Sequence, residues 1–201
     1  MHIEFMVEEQ SAKEALHNLL PKILKINTTF DIHSYRGKTD LLSKLPSRLK
    51  GYKAWLPEDH LIVVLVDKDR EDCLILKNNL EKIATEAGLI TKSSAGIDKP
   101  FQVLNRIAIE ELEAWFFGDI PAITTAYPRV SPNLATQAKY RDPDGITGGT
   151  WEALERVLQK AGYHQGGLEK NKAAREISRH MNPANNRSKS FQVFYNALLK
   201  E

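Results

Sequence analysis

Two aspartates follow the most apolar run of the chain. Residues 61–66 are all apolar and include three valines, which predicts a strand buried on both faces. Asp67 and Asp69 come directly after it. In an extended chain this spacing places both carboxylates on one side, about 6–7 Å apart. Because such carboxylates repel each other unless a cation lies between them, and because Mg²⁺ prefers oxygen ligands, the segment predicts a site for Mg²⁺ (or Mn²⁺). A charged, solvated turn is the alternative.

Other acidic residues also follow predicted strands. Glu8 ends a first strand predicted over residues 1–7, and three glutamates follow or end a late strand predicted over residues 102–109. In an open parallel sheet, functional groups gather at the carboxyl ends of the strands. The three groups of acids are therefore expected to meet, hold one or two divalent ions and support displacement at a phosphodiester. These acids are Glu8, Asp67, Asp69, Glu110, Glu111 and Glu113.

Charge is distributed unevenly along the chain. Residues 1–119 hold 16 Lys and Arg against 19 Asp and Glu, a net charge of −3, whereas residues 120–201 hold 12 against 7, a net charge of +5. An acidic half beside a basic half suits a polyanion such as nucleic acid, although helical surfaces are often this basic without one. The predicted contacts to nucleic acid are Arg36, Lys38, Lys170, Lys172 and Arg187.

The segment around Lys38 does not form a Walker A phosphate-binding loop. Gly37-Lys38-Thr39 resembles the end of a Walker A loop, but Ile32 stands where that loop needs its first glycine. Any dependence on ATP is therefore expected to come from another protein.

Composition excludes several further classes. The chain has 201 residues, of which 42% are hydrophobic and 27% charged, as in ordinary soluble domains. Apolar runs are far shorter than the roughly 20 residues of a membrane span, and a single cysteine, Cys73, excludes an internal disulfide. The residues after Met1 lack the features of a signal peptide. A cytoplasmic location without membrane contact is the expectation.

The predicted elements alternate between strand and helix. Strands are expected at residues 1–7, 29–35, 61–66 and 102–109, with helices between them and a surface loop over residues 51–59. This order predicts an α/β fold with a mainly parallel sheet flanked by helices. Prolines and glycines fragment residues 120–150, and three helices follow at 151–161, 171–181 and 190–199. We therefore expect an α/β core over residues 1–119 and a helical C-terminal extension over residues 120–201 that packs on it. Trp115, Phe116 and Phe117 are expected in a core.

Several motifs of the chain resemble those of known protein families. A strand ending in Glu8 and another ending in Asp67-Lys68-Asp69 resemble the Toprim pattern, found in topoisomerases, primases and the overcoming-lysogenization-defect nucleases. Over nearly the whole chain, the sequence resembles the DUF4276 family of Toprim-like bacterial proteins. The motifs are Val7-Glu8, Gly37-Lys38, Val66-Asp67-Lys68-Asp69, Glu111-Leu112-Glu113-Ala114-Trp115 and Asp142-Pro143-Asp144.

The resemblance implies a divalent-metal nuclease with a Toprim-like, Rossmann-like core, encoded beside ATPases in phage-defence systems. It implies that Glu8 is a general acid/base or metal ligand and that Asp67 and Asp69 bind metal. Glu111 and Glu113 are implied as further ligands or as groups that orient water. The candidate catalytic residues are Glu8, Lys38 and Glu113, and the candidate metal ligands are Glu8, Asp67, Asp69, Glu111 and Glu113.

Two departures from the family pattern keep other functions open. Glu9 stands where a glycine is usual, and Ala12 stands where a second acid often follows. Both favour one metal over two. They also favour a catalytically inactive subunit that binds an ATPase partner or nucleic acid. A phosphotransfer enzyme with Asp67 as nucleophile is a third possibility. DNA and RNA are equally compatible with the sequence.

Overall fold

The computed structural model describes residues 1–96 and 99–199, and it has the predicted α/β architecture. One parallel sheet contains β1 (His2–Val7), β2 (Thr29–Ser34), β3 (His60–Asp67) and β4 (Val103–Ala108), in the order β2-β1-β3-β4. The helices of the described residues are α1 (Gln10–Ile23), α2 (Lys38–Trp55), α3 (Cys73–Glu86), α4 (Lys92–Ala95), α5 (Glu113–Phe117), α6 (Ile120–Ala126), α7 (Thr150–Lys160), α8 (Lys170–Ser178) and α9 (Lys189–Leu199).

By its internal contacts the chain divides into two compact units. The first contains Met1–Lys13 and Ile26–Ile107, and the second contains Glu14–Lys25 and Ala108–Glu201. Helix α1 therefore contributes its first residues to the first unit and the rest to the second. In the described residues, no helix combines the length and the apolar character that crossing a membrane requires.

The core of the first unit explains why β3 is so apolar. Its residues from Leu61 to Val66 are all at most 4% exposed, as expected for a strand covered on both faces. On one face, Met6 of β1 and three residues of β3 pack against leucines of α2 and α3. This cluster includes Met6, Leu41, Leu45, Leu49, Tyr52, Ile62, Val64, Val66, Leu76 and Leu80.

Helix α2 corrects one sequence prediction. The loop predicted over residues 51–59 is wrong at its start, because the helix continues to Trp55. Tyr52 is 4% exposed and extends the buried stripe of Leu45 and Leu49 by one more turn. This buried tyrosine keeps the chain helical past Gly51, since tertiary packing outweighs the low helix propensity of a single glycine.

The second unit has an aromatic core. The ring centroid of Trp115 lies 5.0 Å from those of Phe191 and Phe194, and its Nε1 donates to Ser190 Oγ at 3.0 Å. Phe116 and Phe117 are also buried. The core-packing interpretation of this aromatic run is therefore confirmed, and so are the three helices predicted after residue 150.

Candidate functional site

The strand order places a topological switch point between β1 and β3, at the centre of the sheet. From the adjacent strands β1 and β3, the chain continues to β2 on one side and to β4 on the other. In open parallel sheets, ligands bind outside the carboxyl ends of the strands at such a switch point. Glu8 directly follows β1, and Asp67 is the last residue of β3. We call the group Glu8, Lys38, Asp67 and Asp69 the switch-point site.

Glu8 connects three loops at this switch point. Its carboxylate Oε2 accepts the backbone N–H of Asp67 at 3.1 Å, and its carbonyl oxygen accepts the N–H of Gly37 at 3.0 Å. Gly37 precedes α2 with φ of 94°, a conformation that essentially only glycine adopts. The loops after β1, β2 and β3 are thereby held together, and Glu8 and Asp67 lie side by side.

Lys38 brings a positive charge to the acids of the site. As the first residue of α2, it donates from Nζ to Asp69 Oδ2 at 2.7 Å and to Glu71 Oε1 at 2.8 Å. Only 11% of its side chain is exposed. Burial is the largest single effect and acts to lower the pKa of Lys38. The hydrogen bonds to Asp69 and Glu71, together with the charges of Asp69 and Glu8, outweigh burial and raise this pKa. Lys38 is therefore a fixed ammonium ion at neutral pH.

The chain does not stay extended between the two aspartates. The strand ends at Asp67, and Asp69 has φ of 51°, in the left-handed region. The extended backbone assumed between the two aspartates is therefore wrong at Asp69, because the chain turns after β3. This turn is tied by Glu71 N–H donating to the Lys68 carbonyl at 3.1 Å, and it presents Asp69 to Lys38.

Glu8 has the environment of a group that binds protons more readily than an exposed carboxylate. It is 8% exposed, and burial raises its pKa above the ordinary value. The N–H of Asp67 and the charge of Lys38 act in the opposite direction, and the charge of Asp69 raises the pKa further. Burial is the largest of these effects, so the carboxyl group of Glu8 is poised to accept and release a proton.

The acids predicted after β4 have a different environment. Glu111 Oε2 accepts the N–H of Thr150 at 2.8 Å, its hydroxyl at 2.8 Å and the N–H of Trp151 at 2.9 Å. Glu111 therefore caps the N-terminus of α7, which receives no side-chain cap from Gly149. Glu113 lies in α5 and is 3% exposed. Both belong to the second unit, whereas the switch-point site belongs to the first.

The predicted nucleic-acid contacts lie in both units. Arg36 is exposed in the loop after β2. In the second unit, Lys170 lies with Nζ 5.1 Å from the ring centroid of Trp151, and Lys172 is 3.5 Å from Glu169. Arg187 is exposed. Arg36, Lys172 and Arg187 therefore lie at the surface of their own units, and Lys170 is half-buried.

A basic cavity in the second unit was missed by sequence reasoning. It has a volume of about 260 Å³ and is lined by four cationic side chains and no acid. Among the described residues, none of the four makes an ion pair with a carboxylate. Only the i, i+4 spacing of two of them on α7 could have indicated a shared surface. The cations of this basic cavity are Arg129, Lys139, Arg156 and Lys160.

One group of metal-ligating side chains is compact in the described part of the chain. It consists of His2, Glu4 and Asp31, which lie at the opposite end of the sheet from the switch point. The switch-point site does not have such a group: the carboxylate oxygens of Glu8, Asp67 and Asp69 do not all lie within 4.8 Å of one another.

Comparisons with known proteins place the chain in a family. No curated protein and no solved structure matches it. A family model described as "Domain of unknown function (DUF4276)" matches residues 7–199, which is nearly the whole chain. The match contains the switch-point site and the basic cavity. The chain therefore belongs to the DUF4276 family.

Proposed function

We propose that the protein is a divalent-metal-dependent nuclease that hydrolyses phosphodiester bonds in DNA or RNA at the switch-point site. The observation that carries the proposal is the meeting of Glu8 with the Asp67–Asp69 turn at the carboxyl ends of β1 and β3. A Toprim-like relationship, which the sequence motifs suggest, belongs to the same proposal.

The donor set fits Mg²⁺ or Mn²⁺. The site contains the carboxylates of Glu8, Asp67 and Asp69, and Glu8 is hydrogen-bonded to the backbone N–H of Asp67. Asp67 and Asp69 would hold the ion, since carboxylate oxygens are the ligands that Mg²⁺ prefers. When bound, the ion supplies Lewis acidity at the phosphate and lowers the pKa of a water.

Two side chains of the site have matching roles in hydrolysis. Water attacks phosphorus, the bond from phosphorus to the leaving oxygen breaks, and the leaving oxygen takes a proton from the solvent. Glu8 takes the proton of the water, which suits a carboxyl group whose pKa is raised by burial. Lys38 stabilises the negative charge that grows on the phosphate oxygens, because its ammonium group is held in place before the reaction.

Nucleic acid would be held by the backbone phosphates. The basic cavity offers four cations without a competing acid in its lining. The exposed Arg36, Lys172 and Arg187 and the half-buried Lys170 add to the positive surfaces of their units. Contacts of this kind bind phosphates without reading the base sequence. The proposal therefore predicts salt-sensitive binding with little sequence preference.

A catalytically inactive subunit that binds an ATPase partner or nucleic acid is the second candidate. The specific observation in its favour is the ion pair of Lys38 with Asp69 and Glu71, since an internal cation can replace a metal between acids. In this case the switch-point site would stabilise the fold, and the basic cavity would carry the function. A role in phage defence with an ATPase belongs to both candidates.

The test is a cleavage assay with matched variants. Labelled duplex DNA, single-stranded DNA, RNA and tRNA are incubated with Mg²⁺, Mn²⁺ or EDTA, with and without a candidate ATPase. We expect metal-dependent cleavage by the wild type and a loss of about 10²–10⁴-fold in Glu8→Gln and Asp67→Asn. Glu86→Gln, which changes an exposed acid on α3, is the control and should keep full activity.

Two results would decide against the nuclease. The first is the absence of cleavage under all of these conditions while nucleic acid still binds, which favours the inactive subunit. The second is equal cleavage by wild type and Asp67→Asn, which indicates a contaminating nuclease.

A further inference from the structure

A cluster of metal-ligating side chains lies at the amino ends of β1 and β2. His2 and Glu4 are two residues apart on β1 and therefore share a face of the sheet. Asp31 of β2 is the register partner of Glu4. We call His2, Glu4 and Asp31 the amino-end cluster. Glu4 and Glu8 are four residues apart, about 13 Å along the strand, so the cluster is separate from the switch-point site.

The ligand atoms of the cluster are already close together. His2 Nε2 lies 3.6 Å from Glu4 Oε1 and 3.6 Å from Asp31 Oδ2, and the three atoms all lie within 4.8 Å of one another. Zinc bonds of about 2.0–2.2 Å in a tetrahedron separate neighbouring ligand atoms by about 3.3–3.6 Å. The two distances from the imidazole are therefore close to those around a zinc ion.

The ring of His2 is oriented by a hydrogen bond on its far side. Its Nδ1 lies 2.8 Å from Thr29 Oγ1. We assign Nδ1 as the protonated nitrogen, so that Nε2 carries the lone pair directed at Glu4 and Asp31. Histidines that bind metals almost always donate their other N–H in this way. The ring of His60, 5.0 Å away, packs against the same imidazole.

Glu4 is a buried carboxylate with one oxygen held in place. Its side chain is 10% exposed, and Oε2 lies 2.7 Å from His33 Nε2. Oε1 faces His2 instead. A buried carboxylate is costly unless it is paired or coordinates a metal. Besides the two imidazoles, the hydroxyl of Tyr52 also forms a hydrogen bond with Glu4. Asp31, by contrast, has a side chain that is 69% exposed, which leaves an open path for an ion and for water.

We propose that His2, Glu4 and Asp31 form a zinc site, with a water molecule at the fourth position. A mixture of imidazole and carboxylate ligands suits Zn²⁺, whereas Mg²⁺ prefers oxygen ligands alone. The site is independent of the nuclease proposal, because it uses other residues and a different class of metal.

The experiment measures metal binding by the full chain without a histidine tag. After treatment with EDTA, the protein is titrated with Zn²⁺ by calorimetry and with Co²⁺ by visible absorption, which reports tetrahedral nitrogen and oxygen coordination. We expect one ion per chain. Asp31→Asn and His2→Ala should each weaken binding at least tenfold, and Thr29→Val should weaken it by about 10–100-fold. His180→Ala, an exposed histidine in the second unit, should bind as the wild type does.

The results separate this site from the switch-point site. Asp67→Asn should keep full affinity for Zn²⁺. Binding that is lost in Asp67→Asn but unchanged in Asp31→Asn would overturn the amino-end site, and so would binding that is equal in all variants or absent in the wild type. Circular dichroism of Asp31→Asn checks folding, which should be intact because Asp31 is exposed. The cleavage assay tests the nuclease separately, so each proposal can fail alone.

Discussion

The contacts of Glu111 predict a structural role with a calculable cost. One oxygen of this carboxylate receives three hydrogen bonds from Thr150 and Trp151, at 2.8 to 2.9 Å. Thr150 is completely buried, so water cannot replace the lost acceptor in Glu111→Ala. Hydrogen bonds to charged groups contribute about 1.5–3 kcal/mol, and losing an N-cap costs about 0.5–2 kcal/mol. These two ranges describe the same contacts and are not added. Because three hydrogen bonds to one charged oxygen are lost together, we expect Glu111→Ala to lower the free energy of unfolding by about 2–3 kcal/mol, in the upper part of the first range.

Glu111→Gln separates the hydrogen bonds from the charge. The amide oxygen can still accept, and only the interaction with the N-terminus of α7 is lost, so the cost should be about 0.3–1 kcal/mol. In thermal unfolding, Glu111→Ala should lower Tm by about 5–10 °C. Glu86→Ala is the control, because its ion pair with Lys82 is exposed and 3.7 Å long, and it should cost less than about 0.5 kcal/mol.

Two outcomes would refute this role for Glu111. One is a cost below about 0.5 kcal/mol in Glu111→Ala. The other is a rise in Tm on adding Mg²⁺ that occurs in the wild type and not in Glu111→Gln, since this would make Glu111 a metal ligand. Urea unfolding with and without Mg²⁺ gives the same comparison independently.

Three further predictions concern the switch-point site and the basic cavity. Burial raises the pKa of Glu8, so the folded state loses stability as the pH rises from the pKa of Glu8 in the unfolded chain to its pKa in the folded chain. Glu8→Gln should therefore be more stable than the wild type at pH 7.5. Urea unfolding should show that this advantage disappears below about pH 4. Gly37→Ala should lower the free energy of unfolding by about 1–3 kcal/mol, because φ at this position is 94°. Gly51→Ala should raise it by about 0.5–1 kcal/mol, because Gly51 lies within α2 and an added Cβ meets no atom within 4 Å. Equal effects of the two variants in thermal unfolding would contradict this prediction. The double variant Arg156→Gln, Lys160→Gln should weaken DNA binding. It should also make the slope of log affinity against log salt concentration less steep, by the equivalent of about two phosphate contacts. An unchanged slope, measured by fluorescence anisotropy, would exclude the basic cavity as the DNA interface.

Local sequence patterns predicted most of the fold. The apolar run before Asp67 is long enough for a buried strand and too short for a membrane span, and its burial on both faces follows from its composition. A helix was predicted between β2 and β3, but its end was not, because Tyr52 is held by packing rather than by a local signal. Trp115 and the two residues after it were predicted correctly as core, since large apolar side chains at consecutive positions favour burial.

The candidate site was only partly accessible to the same reasoning. The sequence placed Glu8 and Asp67 at the ends of strands, and parallel pairing of β1 with β3 makes these ends neighbours. It gave no signal for the turn at Asp69 or for the ion pairs of Lys38, because both depend on loops that meet only after the sheet has formed.

The sequence by itself determined which segments form strands and helices and which strand ends carry acids, since these properties depend on neighbours within a few residues. The tertiary structure decided which of those acids have which partners. Glu111 caps a helix that begins 39 residues later, and His2 meets Asp31 only through the register of two strands. Such contacts depend on long-range packing and register, and no local pattern of residues encodes them.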